Sequence, residues 1–401
     1  MKNAREELDK AQKCSKQRED LEAIEIFGKV YKENPELLDE TDKLLYAWSL
    51  YRSKTQNFET EEELIDSVDI ITQITEQKDF SNKSGACPYT LSVMRILEYF
   101  KDKNDYPNII KWVYKLNPEY LNTEVKESKI DGKIVKFPSN KEKYYYYLSK
   151  SYFELKDFEK CITVTKEALE NLDDYIPDND IWFKWRIAKS LREIGEYDEA
   201  LTYLDDITKT KNEWYIFLEL AENYYAKEDY DKALKYCIDS ALKYGDIDKK
   251  INLYSLLESL LKDEYPEEAL KHEYLIYSLK LNKNWPISPE FKEKIEYAGF
   301  DVDFRDYWEI EAELNNFWTE LKFKDSERYY GKISNIISQG KAGFILADSG
   351  ESYFFAAFEF KGDKELFKKG SKVSFYTEEG FDKSKGEKTI NAVNVIPIGD
   401  D

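Results

Sequence analysis

The stretch EWYIFLELAENYYAKEDYDKALKYCIDSALKY, Glu213–Tyr244, decides the fold. Phe217, Leu220, Ala221 and Tyr224 recur at helical spacing on one side of a first helix. Ala226-Lys227-Glu228-Asp229 is a turn, and Tyr230 to Cys237 opens a second helix. Ala233 is small where two paired helices cross closely, and the aromatic residues beside it fill the space it leaves. One such hairpin is marginal in water, so neighbours of the same kind must cover its apolar side.

The chain supplies those neighbours. Ala233, Cys237 and Ser240 share their spacing with Ala23, Phe27 and Val30, with Cys161, Thr165 and Ala168, and with Ala200, Leu204 and Ile207. The anchors Cys161, Ala200 and Ala233 lie 39 and 33 residues apart, and Ala269 follows 36 further on. An acidic-aromatic pair precedes each: Asp157-Phe158, Glu196-Tyr197, Asp229-Tyr230 and, more loosely, Glu264-Tyr265. A period near 34 predicts a stacked array of helical hairpins. With 32 Tyr and 22 Phe against 15 Gly and 10 Pro, the composition favours long helices with few breaks.

These repeats resemble the tetratricopeptide family, most clearly over residues 143–175, 180–210 and 213–245, and less so at 1–36, 41–80, 88–118 and 250–283. The resemblance implies a helical solenoid whose groove holds a peptide or partner helix. The expected organisation is N-terminal helical repeats at 1–120, a β-hairpin insertion at 121–142, further repeats at 143–285, and capping helices at 286–326. In the insertion, Lys129 to Phe137 reads as two strands around an Asp131-Gly132 turn. It is either a contact loop or a flap packed on the array, and Ile130, Ile134 and Phe137 favour the flap. The run Tyr144-Tyr145-Tyr146-Tyr147 fits a core stripe better than a binding patch, as do Trp182, Phe183 and Trp185. Ser288-Pro289 starts one capping helix, and Tyr307 to Lys322 forms a longer one.

From Tyr329 the period falls to two, and a domain at 327–401 begins. Strands are expected at Gly331–Ile336, Gly340–Ala347, Ser352–Ala356, Ser371–Tyr376 and Asn391–Ile396. Five short strands suggest a small all-β barrel. The segment 330–396 resembles a cold-shock domain, an oligonucleotide-binding barrel, through Lys341-Ala342-Gly343-Phe344-Ile345, Asp348-Ser349-Gly350, Tyr353-Phe354-Phe355 and Ala392-Val393-Asn394-Val395. The resemblance implies that Phe344 and Phe354 stack on bases and that Lys332 and Lys341 meet phosphate; Tyr353, Phe355 and Phe358 are candidates to replace missing platforms, though Tyr353 and Phe355 alternate toward the interior. Other stacking positions of that family fall on Asn335, Ala342, Ala356 and Ala357. The barrel is therefore read either as a binder of single-stranded RNA or other nucleic acid, or as a protein-docking module.

The formal charge is −21. Residues 327–401 carry 11 Lys and Arg against 12 Asp and Glu, so the first 326 residues hold −20 of it. Such a body repels nucleic acid and either attracts a basic surface on a protein partner or serves solubility alone. Cys14, Cys87, Cys161 and Cys237 are far apart with no CxxC pair and His272 is the single histidine, which argues against a zinc cluster and against a Ser-His-Asp or Cys-His catalytic set. No Gly-rich phosphate loop is present. His272 reads as a core residue. The expectation is a non-enzymatic cytoplasmic adaptor, with no cofactor, no metal and no membrane span.

Overall fold

The computed structural model describes residues 2–78, 86–173, 175–176, 178–382 and 387–398. Residue 1 of the expected 1–36 repeat, 79–80 of the 41–80 repeat, 174 of the 143–175 repeat, and 383–386 and 399–401 of the C-terminal domain lie outside them. The chain divides into two units, Met1–Ala233 and Leu234–Asp401.

In the first unit the helices are α1 Lys2–Lys16, α2 Asp20–Glu33, α3 Glu40–Leu50, α4 Glu61–Ile74, α5 Pro88–Asp102 and α6 Tyr106–Val113. Strands β1 Lys126–Ile130 and β2 Lys133–Phe137 follow. Then come α7 Asn140–Glu154, α8 Phe158–Asn171, α9 Asn179–Glu193, α10 Tyr197–Thr208 and α11 Trp214–Ala226. Helix α12, Tyr230–Ala241, carries the boundary between the units. Each helix from α7 to α10 packs on its successor, and α7, α9 and α11 also meet in turn. The anchors Ala23, Cys161, Ala200 and Ala233 have no exposed surface, as close helix crossing requires. Cys161 lies in a core that runs through Leu97, Phe100, Trp112, Leu148 and Phe183, and Ala23 in a separate one with Phe27, Val30 and Tyr46.

One turn recurs. Arg18, Asn104, Lys156, Gly195 and Glu228 each adopt a left-handed backbone, and each precedes an acidic residue. The amide of that residue (Glu19, Asp105, Asp157, Glu196, Asp229) donates back to a carbonyl five residues earlier, at 2.9 Å in all five cases. This closes the first helix, while Asp105 and Asp157 cap the second through their side chains. The acidic-aromatic pairs are thus turn devices. Asp105-Tyr106 belongs with them, whereas Glu264-Tyr265 does not: Tyr265 itself precedes a helix that starts at Pro266.

The β1–β2 hairpin forms with Asp131 and Gly132 at φ 49° and 80°, the two positive values its turn needs. It is not a packed flap. Ile130, Ile134 and Phe137 are 48%, 69% and 40% exposed. Ile134 pairs with Lys129, on the face opposite to Ile130 and Phe137, so no single side collects the three. The tyrosine run is core: Tyr144, Tyr145 and Tyr147 are buried. Phe183 is buried too, but Trp182 is 39% exposed and stacks on Tyr215 of α11, so it is not a core residue.

The second unit continues with α13 Ile251–Leu261, α14 Pro266–Asn282, α15 Pro289–Tyr297 and α16 Tyr307–Lys322. Ser288 caps α15, accepting from the Phe291 amide, and Pro289 takes its first turn. Helix α16 packs on α14, with Trp318 buried and stacked on Tyr254. After it lie β3 Tyr329–Ile337, β4 Ala342–Ala347, β5 Ser352–Ala356, β6 Lys372–Asp382 and β7 Glu387–Pro397. They make a mixed five-stranded sheet in the order β3-β4-β5-β7-β6, in which β3 also pairs with β6. The β5–β7 pairing is parallel and short, Phe354 against Asn391. Ile333, Ile345, Phe355, Val373, Phe375 and Val395 fill its interior.

Candidate nucleic-acid interface

Alternation along β4 and β5 sorts the side chains. Ile345 and Phe355 point inward and are fully buried, and Tyr353 turns inward against Tyr329 and Phe375. Phe344 and Phe354 point outward, half-buried, as direct cross-strand partners. Their rings meet edge to face at 5.7 Å. Gly343 permits this arrangement, because a Cβ there would lie 2.7 Å from the Phe355 ring and 2.8 Å from the Asn335 carbonyl.

Of the five residues named from sequence, Lys332, Phe344 and Phe354 share one face by strand alternation, whereas Lys341 and Phe358 lie just outside the strands at one end of it. Lys332 is exposed and pairs with Leu346 at one end of β4. At the other end Lys341 is exposed, and its carbonyl accepts from the Ala357 amide beside Phe358, which is 76% exposed. Leu346 and Lys341 lie roughly 17 Å apart at the usual rise per residue, with the Phe344–Phe354 pair between them. No ring occupies Asn335, Ala342, Ala356 or Ala357. Tyr330, 54% exposed, and Leu346, 50% exposed, join this face and escaped the sequence reading. Tyr330 alternates in phase with Lys332, a signal lost when the strand is started at Gly331.

The β6–β7 side is occupied from within the same unit. Phe323, just past α16, stacks on Tyr376 at 4.2 Å with rings 5° from parallel. The Arg328 guanidinium sits 4.5 Å over the same Tyr376 ring. It donates to Ser374 Oγ at 2.9 Å, to Asn394 Oδ1 at 3.2 Å and to the Asn394 carbonyl at 3.1 Å. Lys322 joins Asp239 of α12, at 2.8 Å, to Glu378 of β6, at 2.5 Å. Burial works against the Lys322 charge, yet those two carboxylates hold its pKa above the ordinary lysine value. None of these contacts uses a β4 or β5 residue.

Three other groups were candidates for chemistry. His272 is buried; its Nδ1 donates to the Glu268 carbonyl at 2.7 Å, and its Nε2 accepts from the Trp318 indole at 2.9 Å. Burial depresses its pKa to about 4, so it is a neutral core residue. Cys14 lies within 4.8 Å of carboxylate oxygens of Glu19 and Glu22, but Glu22 is already paired with Lys10 at 2.6 Å. Burial raises the Cys14 thiol pKa, which opposes a metal-ligating thiolate. Glu219 of α11 is buried against Arg192 at 3.1 Å and Lys189 at 3.6 Å, and burial raises its pKa to about 7. Among the described residues, no helix is long and apolar enough to cross a membrane.

The architecture is that of a mostly helical repeat protein with a C-terminal five-stranded unit. Within it, residues 181–303 match a family described as Domain of unknown function (DUF7017). No curated protein matches the chain. Among solved structures, a tetratricopeptide repeat protein from Parabacteroides merdae shares 12% identity at a TM-score of 0.33, over 80% of this chain and 100% of that one. A MamA RS-1 double mutant shares 14% at 0.36, over 49% and 96%. A Rap protein complexed with competence and sporulation factor shares 15% at 0.29, over 81% and 93%.

Proposed function

We propose that the protein is a non-catalytic adaptor of the tetratricopeptide class, whose helical array binds a partner protein and whose C-terminal unit binds single-stranded RNA. In this reading the five strands form an oligonucleotide-binding barrel of the cold-shock kind. The observation that carries the RNA half is the outward Phe344–Phe354 pair, flanked by Lys332, Lys341 and Phe358, on strands that take no part in the Phe323 and Arg328 contacts. Stacking on such rings is worth about 1–3 kcal/mol per base, and lysines at either end suit a backbone crossing both. The absence of rings at Asn335 and Ala356 makes the site weak. Labelled single-stranded RNA titrated into the full chain at low salt tests this. Binding in the tens of micromolar, lost in Phe344→Ala and in Phe354→Ala, is expected. The Phe323–Tyr376 stack favours a second reading, in which the unit is a docking module without RNA activity; absence of RNA binding would select it.

A further inference from the structure

The β1–β2 hairpin differs from the rest of the chain in exposure and in charge. Along its two strands only Val135 is half-buried, and every other residue is exposed. A lone two-stranded hairpin is marginal in water, so Ile130 and Ile134 call for cover. Residues 126–137 carry four lysines against Glu127 and Asp131, in a chain of net charge −21. Lys136 pairs with Glu127 at 3.3 Å, whereas among the described residues Lys129 and Lys133 have no acidic partner. The register sets Lys129 opposite Ile134 and Lys133 opposite Ile130. Each face of the tip therefore holds one isoleucine beside one lysine.

The complement lies elsewhere in the same unit. A cleft of about 320 Å³ opens between the end of α3 and α4. Leu50 and Ile70 give it an apolar lining, and Glu62 and Asp66 give it carboxylates. Glu62, Asp66 and Ile70 are spaced by four, so they follow one side of α4 over about 12 Å. Both carboxylates are exposed, and among the described residues neither meets a cation, because Lys54 at the cleft is taken by Glu63. Like charges one turn apart repel, and a cation brought between them relieves this. The backbone at the cleft also departs from a regular helix. Tyr51–Thr55 is a π-helical turn, closed by the Gln56 amide on the Tyr51 carbonyl at 2.8 Å. Such turns are rare and gather at functional sites.

The two surfaces are matched in sign and in kind. A polyanion such as RNA would answer the hairpin lysines and leave the cleft carboxylates unmet. A small cation would do the reverse. A second copy of this chain answers both at once. We propose that the hairpin tip of one copy docks in the α3–α4 cleft of a second, with Ile134 on Leu50 and Ile70, and with Lys129 and Lys133 against Asp66 and Glu62. Two different surfaces meet, so the contact is heterologous and builds head-to-tail assemblies. This goes beyond the adaptor reading and does not depend on the RNA site.

Sedimentation velocity of the full chain over the micromolar range tests this. The weight-average mass should rise with concentration beyond that of a dimer. Raising salt from about 0.1 to 1 M, which shortens the Debye length from about 10 to 3 Å, should weaken the association about tenfold. A hairpin variant (Lys129→Ser, Lys133→Ser, Ile134→Ser) and a cleft variant (Glu62→Lys, Asp66→Lys) alter exposed side chains, and circular dichroism should match the parent. Each should stay monomeric alone. Mixed, they should form a one-to-one heterodimer and nothing larger, because one native hairpin and one native cleft remain. A parent that is monomeric at every concentration would overturn the proposal, and loss of RNA binding in its hairpin variant would then assign the lysines to nucleic acid. Association of the cleft variant alone would overturn it in favour of hairpin-to-hairpin pairing. Association of the hairpin variant alone, or a mixture that stays monomeric, would overturn it as well.

Discussion

His272 offers a direct check on the packing of the second unit, because it is the single histidine in the chain and its resonance needs no assignment. The Trp318 indole fixes Nε2 as acceptor and the Glu268 carbonyl fixes Nδ1 as donor, so protonation would break the bond to Trp318 inside the core. Burial lowers the pKa from 6.5 to about 4. At about 1.4 kcal/mol per pH unit, the neutral form is favoured in the folded state by about 3 kcal/mol. Between these values the unfolded chain binds the extra proton. Stability from this group is therefore fully present above pH 6.5 and is lost as pH falls toward 4. A proton-carbon NMR titration should show the Nδ1–H tautomer and no midpoint near 6.5. Urea unfolding of His272→Gln should show a shallower loss between pH 6.5 and 4 than the parent. A His272 midpoint of 6 or above, at a pH where the protein is folded, would refute the buried Trp318–His272 pair.

Glu219 should behave in the opposite sense. Its folded pKa is raised to about 7, so the folded chain binds the extra proton between roughly the ordinary glutamate range and 7. This group's contribution grows as pH falls through that window, and the stability of Glu219→Gln relative to the parent should be greater at pH 8 than at pH 5. Lys156→Gly should stabilise the first unit by about 0.5–1 kcal/mol, since an L-residue in the left-handed region costs about 1–2 and glycine's entropy returns part of it; a lower urea midpoint would contradict the turn geometry. Arg328→Ala removes three hydrogen bonds and the cover over Tyr376, and should cost about 2 kcal/mol at the α16–β6 contact. Trypsin cleavage at Lys324 should then quicken, and an unchanged rate would mean that these bonds do not anchor the sheet.

Local signals carried much of the architecture. Tyr307 to Lys322 spans the observed α16, Ser352–Ala356 is the observed β5, and Asp131-Gly132 and Ser288-Pro289 each determine a turn or cap through their own chemistry. What was not legible depends on distant partners. β6 runs to Asp382 because β7 supplies its backbone bonds, although Glu378-Glu379-Gly380 breaks the apolar alternation. Arg18, Lys156 and Glu228 take left-handed turns with no glycine to announce them. The site was half legible. Period two placed Phe344 and Phe354 outward, whereas the β6–β7 contacts with Arg328 and Lys322 join residues tens of positions apart.

The most direct test of the RNA-binding adaptor is photo-crosslinking of the full chain to 4-thiouridine single-stranded RNA, followed by mapping of the crosslinked peptides. The account predicts adducts on Phe344, Phe354 and Phe358 that vanish in the Phe344→Ala, Phe354→Ala double variant. Adducts confined to the helical residues, or none above an albumin control, would contradict it.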